Sequence, residues 1–155
     1  MVRPHFLQDQ YVDSYVSVKQ QLQGIRHSAS VRQPPFDGNS INWILGHLVV
    51  SRCNFLMLLN VPSIWSMAQC RRFMPGSPPV TGDADSVPLP SLLADYERTQ
   101  EQLLEALARL TAADLEEIKG DQTLAETLVY YQAHESYHAG QLELLRQLVG
   151  NETGA

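Results

Sequence analysis

The sequence predicts an all-α protein, a four-helix bundle whose second and third helices are joined by a long connection. Three observations predict it. Four segments carry apolar side chains at spacings of three and four, the period of a helix buried on one face. No segment alternates between apolar and polar residues as a half-buried strand does. The proline- and glycine-rich stretch 61–89 is too long for a tight turn between helices. It fits a crossover that leaves helices two and three parallel, in an up-down-down-up arrangement.

The first helix opens at Pro4, where a missing N–H costs nothing, and its stripe is Leu7, Tyr11, Tyr15, Val18, Leu22 and Ile25. Residues 28–38, with Pro34-Pro35 and Asp37-Gly38, read as a loop. Asn39 or Ser40 caps a second helix running to about Asn60, with Ile41, Ile44, Leu45, Leu48, Phe55, Leu56 and Leu59 on its apolar face. Arg52 falls within that face, so it must snorkel, pair with an acid or line a polar cavity. The connection has room for one short helical turn near 64–72.

Ser91 starts the third helix, with Leu92, Tyr96, Leu103, Leu107 and Leu110. A local turn follows at 111–115. Thr123 and Glu126 form a capping box for the fourth helix, which runs to Val149 before Gly150.

A length of 155 residues fits one domain, taken as 1–155. The apolar share of 44% and charged share of 18% are ordinary for a soluble globular protein. A formal charge of −6, with no basic cluster beyond Arg71-Arg72, argues against nucleic acid and acidic membranes as partners. Cys53 and Cys70 are too few for a disulfide framework or a zinc ribbon, so a reducing cytoplasm is the expected setting. The N-terminal segment lacks the apolar run of a signal peptide. The longest apolar segment, 41–59, is interrupted by Asn42, His47, Ser51, Arg52 and Asn54, so no membrane span is expected.

Chemistry concentrates in the fourth helix, at His134-Glu135-Ser136-Tyr137-His138-Ala139-Gly140-Gln141. Histidines four apart lie on one helix face and can close on a single transition-metal ion. His5 and His27 read as solvated surface residues. His47 sits at the edge of the buried face of helix two; alone it reads as a hydrogen-bonded core residue, and beside a histidine pair it becomes a candidate third ligand.

His134-Glu135-x-x-His138 also spells the zincin pattern, in which the glutamate is a general base. The extended form of that pattern needs glycine at 141 and histidine at 144, where this chain has Gln141 and Leu144. Only Glu143 and Glu152 lie downstream as acidic ligands, and the sheet of a zincin is missing. Glu135 therefore reads as a charged flank. Tyr131 reads as core, Trp43 equally as core or pocket wall, and Cys70 as an inert loop thiol despite Arg71-Arg72.

The segment Asn39-Ser40-Ile41-Asn42-Trp43-Ile44-Leu45-Gly46-His47-Leu48 resembles the helix-two motif of the DinB/YfiT-like bundle metalloenzymes. The segment 134–141 resembles the helix-four motif of the same family, a histidine pair followed by Gly-Gln. The resemblance implies that His47, His134 and His138 are three ligands of a divalent transition metal, zinc or nickel, with Gln141 beside them. It further implies a homodimer and a thiol-S-transferase type of enzyme acting on a small-molecule substrate, with a low-molecular-weight thiol as cosubstrate. A metal-dependent hydrolase and a non-catalytic, stress-related metal-binding dimer are the alternatives. The chain departs from the family at Ala139, where arginine is common.

Overall fold

Helix α1 (Pro4–Leu22) begins at its proline and buries Leu7, Tyr11, Ser14, Val18 and Leu22. A computed structural model describes residues 3–150 of the chain. One short helix, α2 (His27–Ser30), stands where the sequence suggested loop. The central helix is α3 (Ile41–Leu58), capped by the Ser40 hydroxyl, which accepts from the Trp43 N–H at 3.3 Å. It ends in a Schellman arrangement: Asn60 takes φ 59°, and the Val61 N–H donates to the Leu56 carbonyl at 2.9 Å.

The connection is more ordered than its prolines suggest. Ser66 and Gln69 form a capping box that opens α4 (Met67–Arg71), and a 3-10 turn spans Asp83–Asp85. Arg72 ties the stretch together by donating to the carbonyls of Asp85 and Pro78, at 2.9 and 2.7 Å. Helix α5 (Leu89–Ala108) follows, then α6 (Ala112–Leu115), capped by Thr111 with Asp114. A minimal hairpin pairs β1 (Ile118–Lys119) with β2 (Gln122–Thr123), turning at Gly120 with φ 72°. The last helix, α7 (Leu124–Gly150), opens with the expected box: the Glu126 carboxylate accepts from the Thr123 N–H at 2.8 Å.

Four long helices thus form the bundle, with α1 against α5 and α7, and α3 against the same two. Their directions follow from the cross-links. Along α1 and α7, Tyr11 meets Leu128, Ser14 meets Glu135, and Gln21 meets Arg146, so the two run parallel. Asn42 reaches Val87 and Arg52 reaches Tyr96, so α3 and α5 are parallel too. His47 lies by His134 while Phe55 stacks on Tyr131, so α3 opposes α7. Gln8 reaches Leu104 and Tyr15 reaches Glu97, so α1 opposes α5. This is the up-down-down-up order, and the connection must climb a helix length of roughly 27 Å.

The core divides in two. One cluster includes Val18, Ile44, Leu48, Leu92 and Leu142; the other includes Leu7, Phe55, Leu103 and Leu128. Ser14, Arg52 and Glu135 fall at the junction on α1, α3 and α7, with Tyr96 reaching in from α5. Helix α3 is apolar enough to cross a membrane by length and composition, but 83% of it is buried in the bundle.

Candidate metal centre

The three histidines come together. His47, on α3, places its Nε2 3.2 Å from the Nε2 of His134, and the His138 Nε2 lies 3.1 Å from the same atom. All three ligand atoms fall within 4.8 Å of one another. His47 and His138 are buried and His134 is half-buried. Four-residue spacing brings His134 and His138 to one face of α7, and the antiparallel α3 presents His47 opposite them.

Two of these rings are fixed in tautomer. The His47 Nδ1–H donates to the Phe73 carbonyl at 2.8 Å, and the His138 Nδ1–H donates to the Gln141 side-chain oxygen at 2.7 Å. Gln141 is held in turn by donating to the Tyr137 hydroxyl at 3.1 Å. Both outer Nε2 atoms therefore bring lone pairs to the shared space, as second-shell partners arrange for metal-binding imidazoles. Only His134 can bring a proton there, and one proton cannot satisfy two lone pairs. The His134 Nδ1 is buried without a hydrogen-bond partner among the described residues, which leaves that nitrogen available to carry the ring proton instead.

A divalent ion fits this donor set. Imidazole nitrogens at 2.0–2.1 Å from one ion lie about 2.9 Å apart at a right angle and about 3.4 Å apart at the tetrahedral angle. The 3.1 and 3.2 Å of the two pairs that share His134 fall between these limits, and the third pair, His47 with His138, lies within 4.8 Å. Burial lowers the pKa of all three rings, outweighing the hydrogen bonds from His47 to Phe73 and from His138 to Gln141 that act the other way. That of His138 falls to about 4. All three are thus neutral at pH 7, the form that binds metal.

The packing around His47 is demanding. A Cβ at Gly46 would lie 2.4 Å from the Phe73 ring, so only glycine lets Phe73 sit against α3 and aim its carbonyl at His47. Trp43 is buried, stacks on His47 with centroids 4.9 Å apart, and donates its indole N–H to Ser77 at 2.9 Å. It is thus a wall behind the His47 ring, and the connection supplies the polar partners of both rings.

Glu135 corrects the sequence reading most sharply. It is 3% exposed, and no charged flank of the helix. Its carboxylate accepts from Arg52 Nε at 2.8 Å and from a terminal guanidinium nitrogen at 2.7 Å. The hydroxyls of Ser14 and Tyr96 donate to it as well, at 2.6 and 2.9 Å. Burial alone would raise its pKa; the Arg52 charge and these hydrogen bonds outweigh burial and hold it below the ordinary value. Arg52, 2% exposed, answers its three options by pairing, and also rests 3.9 Å over the Tyr96 ring. Glu135 is therefore occupied and unavailable as a base. No signal on helix four reveals this; the sign was the arginine inside the apolar face of helix two.

Other sequence readings resolve simply. His5 is exposed, whereas His27 is half-buried and accepts from the Leu89 N–H at 3.2 Å. Ala139 is buried in the core, so this position faces no substrate. Cys70 is buried and its thiol is pushed up, with burial the main cause, as an inert cysteine requires. Glu152 lies outside the described residues.

A pocket of about 160 Å³ opens beside His47 and His134. Helix α3 contributes Val50, Ser51 and Asn54, and the connection contributes Met74 and Pro75. Tyr130 and Tyr131 close it from α7. Tyr131, stacked on Phe55, belongs to both core and pocket.

The fold has solved counterparts. A crystal structure described as the conserved protein of locus from Enterococcus faecalis superposes with a TM-score of 0.77, covering 98% of this chain and 99% of that one. Identity between the two is 15%, so the likeness speaks for the fold alone. No curated protein matches the sequence. The family profile of the DinB superfamily matches residues 18–142. That match takes in most of the chain and all three histidines; with the crossover bundle and the convergent imidazoles, it makes the chain a member of the DinB superfamily.

Proposed function

We propose that the chain is a metal-dependent enzyme of thiol-S-transferase type acting on a small molecule, with zinc or nickel held by His47, His134 and His138. One observation carries the reading: a three-imidazole donor set borders a pocket that no carboxylate of the described residues lines. When bound, the ion supplies the Lewis acidity that lowers the pKa of a coordinated thiol. A free thiol already ionises near pH 8.5, so its proton needs no dedicated base. Water starts near 15.7, and the zincin solution pairs it with a glutamate. Glu135 occupies that sequence position but is held by Arg52, which favours the thiol over the hydrolase alternative.

In the transfer, the thiol proton leaves to solvent and a sulfur–carbon bond forms to the electrophile. The carbon–leaving-group bond breaks as it forms, and the leaving group departs with its electron pair. His47 and His138 keep their lone pairs inward through Phe73 and Gln141. Two further parts of the proposal have their own support. Cys53 and Cys70 are free thiols, in keeping with the cytoplasm. Tyr130, Tyr137 and Leu144 recur every seventh residue on α7 with exposures of 64, 64 and 50%, a stripe suited to a homodimer.

The test is turnover by metal-loaded full-length chain with a panel of thiols and electrophiles. The expected result is turnover that needs both thiol and ion and disappears in His47→Ala with far-UV circular dichroism unchanged. Ester cleavage without a thiol would instead support the hydrolase, and inactivity of fully loaded protein throughout would support the non-catalytic bundle.

A further inference from the structure

The pocket beside the triad has a chemical character of its own. Among the described residues, none of its lining side chains is an acid, a lysine or an arginine. The walls are Val50, Met74 and Pro75, with the Tyr130 ring inclined at 27° to that of His134 and 6.4 Å from it between centroids. The polar groups are uncharged. Ser51 and Asn54 lie three residues apart on one face of α3, half-buried, and their side chains have no hydrogen-bond partner among the described residues. The volume of about 160 Å³ is close to the roughly 150 Å³ cavity that accommodates benzene.

Three neutral imidazoles leave the whole charge of a divalent ion at one end of this pocket, and nothing of either sign at the other. A ligand is then favoured if its single negative charge sits on the atom that meets the triad. A second charge on its body would lose water without gaining a partner. We propose that the thiol whose sulfur meets the triad has an uncharged body, no larger than a single ring in the part next to the sulfur, with hydrogen-bonding groups directed at Ser51 and Asn54. This rests on the thiol-transferase reading and adds the class of thiol to it. Thiols with a carboxylate or ammonium group close to the sulfur are selected against.

The experiment uses full-length protein loaded with cobalt(II), whose sulfur-to-metal charge-transfer band reports thiol coordination without any turnover. Benzenethiol, 4-mercaptobenzamide, 4-mercaptobenzoate and 2-naphthalenethiol are titrated in turn. The amide and the carboxylate are nearly isosteric, and the para carboxylate cannot chelate the ion that its own sulfur occupies. The proposal expects 4-mercaptobenzamide to bind at least tenfold tighter than 4-mercaptobenzoate, and benzenethiol tighter than 2-naphthalenethiol. Asn54→Lys, which adds the missing cation, should bring the amide-to-carboxylate ratio below twofold. Equal affinity for amide and carboxylate in the unsubstituted protein, or a preference for the two-ring thiol, overturns the proposal while leaving the thiol reading intact. No charge-transfer band with any of the four overturns the thiol reading, and this proposal falls with it.

Discussion

Replacing Glu135 with glutamine keeps the shape of the side chain and removes its charge, which leaves Arg52 as an unpaired cation that is 2% exposed. The native pair is bidentate, at 2.7 and 2.8 Å, and the same carboxylate accepts from Ser14 and Tyr96. Breaking a buried pair by removing one partner costs about 3–5 kcal/mol. Glutamine retains an acceptor for the two hydroxyls, so the loss should fall near the lower end, about 3 kcal/mol. Arg52→Met should cost about as much by stranding the carboxylate. The double variant Arg52→Met/Glu135→Leu strands no charge, and its main loss is the acceptor of Ser14 and Tyr96, about 1–3 kcal/mol. The double variant should therefore be far less unstable than the sum of the single variants. Urea denaturation followed by circular dichroism at pH 7 reads all three. Single variants within 1 kcal/mol of the parent, or additivity within about 0.5 kcal/mol, would refute the ion pair as the tie between α3 and α7.

Other perturbations probe the surroundings of the site. Gly46→Ala puts a methyl group 2.4 Å from the Phe73 ring; it should cost about 1–3 kcal/mol by thermal denaturation and weaken metal binding, because the Phe73 carbonyl moves off His47. Gln141→Ala removes the acceptor of the His138 N–H and should lower metal affinity about 10–100-fold in a chelator competition, with the fold unchanged. Acid should destabilise metal-free protein between pH 6.5 and about 4. Folded His138 stays neutral down to about 4, whereas the unfolded chain takes up the proton from 6.5, so stability falls with pH across that window. The loss is on the order of 2 kcal/mol after solvent screening, read from urea midpoints, and a flat profile there would contradict the burial of His138. Glu135 acts lower: its folded pKa is depressed, so its contribution is present above the ordinary carboxyl range and is lost as pH falls through the folded value.

The helical frame was legible because its signals are local. The apolar stripes, the Thr123–Glu126 box and Ser40 before Ile41 each specify an element from within a few residues. The parallel α3 and α5 were legible from the length of the connection. Within that connection the short turn expected near 64–72 is found as α4; the rest of its order was not legible, because Arg72 holds it through backbone carbonyls at Asp85 and Pro78, contacts that leave no pattern in the sequence. At the site, four-residue spacing identified two histidines and the position of His47 offered a third. The Phe73 carbonyl was invisible, since any residue supplies one. Glu135 was misread because it lies about 80° from the midline of the histidine pair, on a face that only the packing of α1, α3 and α5 reveals as interior. Arg52 was the complementary clue. A buried guanidinium requires an acid, and the one it found lies between two of the candidate ligands.

The proposed function depends on His47, His134 and His138 holding one divalent metal ion. It is tested most directly by the metal content of untagged full-length protein, measured by elemental analysis beside that of His138→Ala. About one equivalent of a transition metal is expected in the parent protein and its loss in the variant, with circular dichroism alike in both. Equal metal in the two proteins, or a fully stable parent that takes up none when metal is supplied, would contradict it.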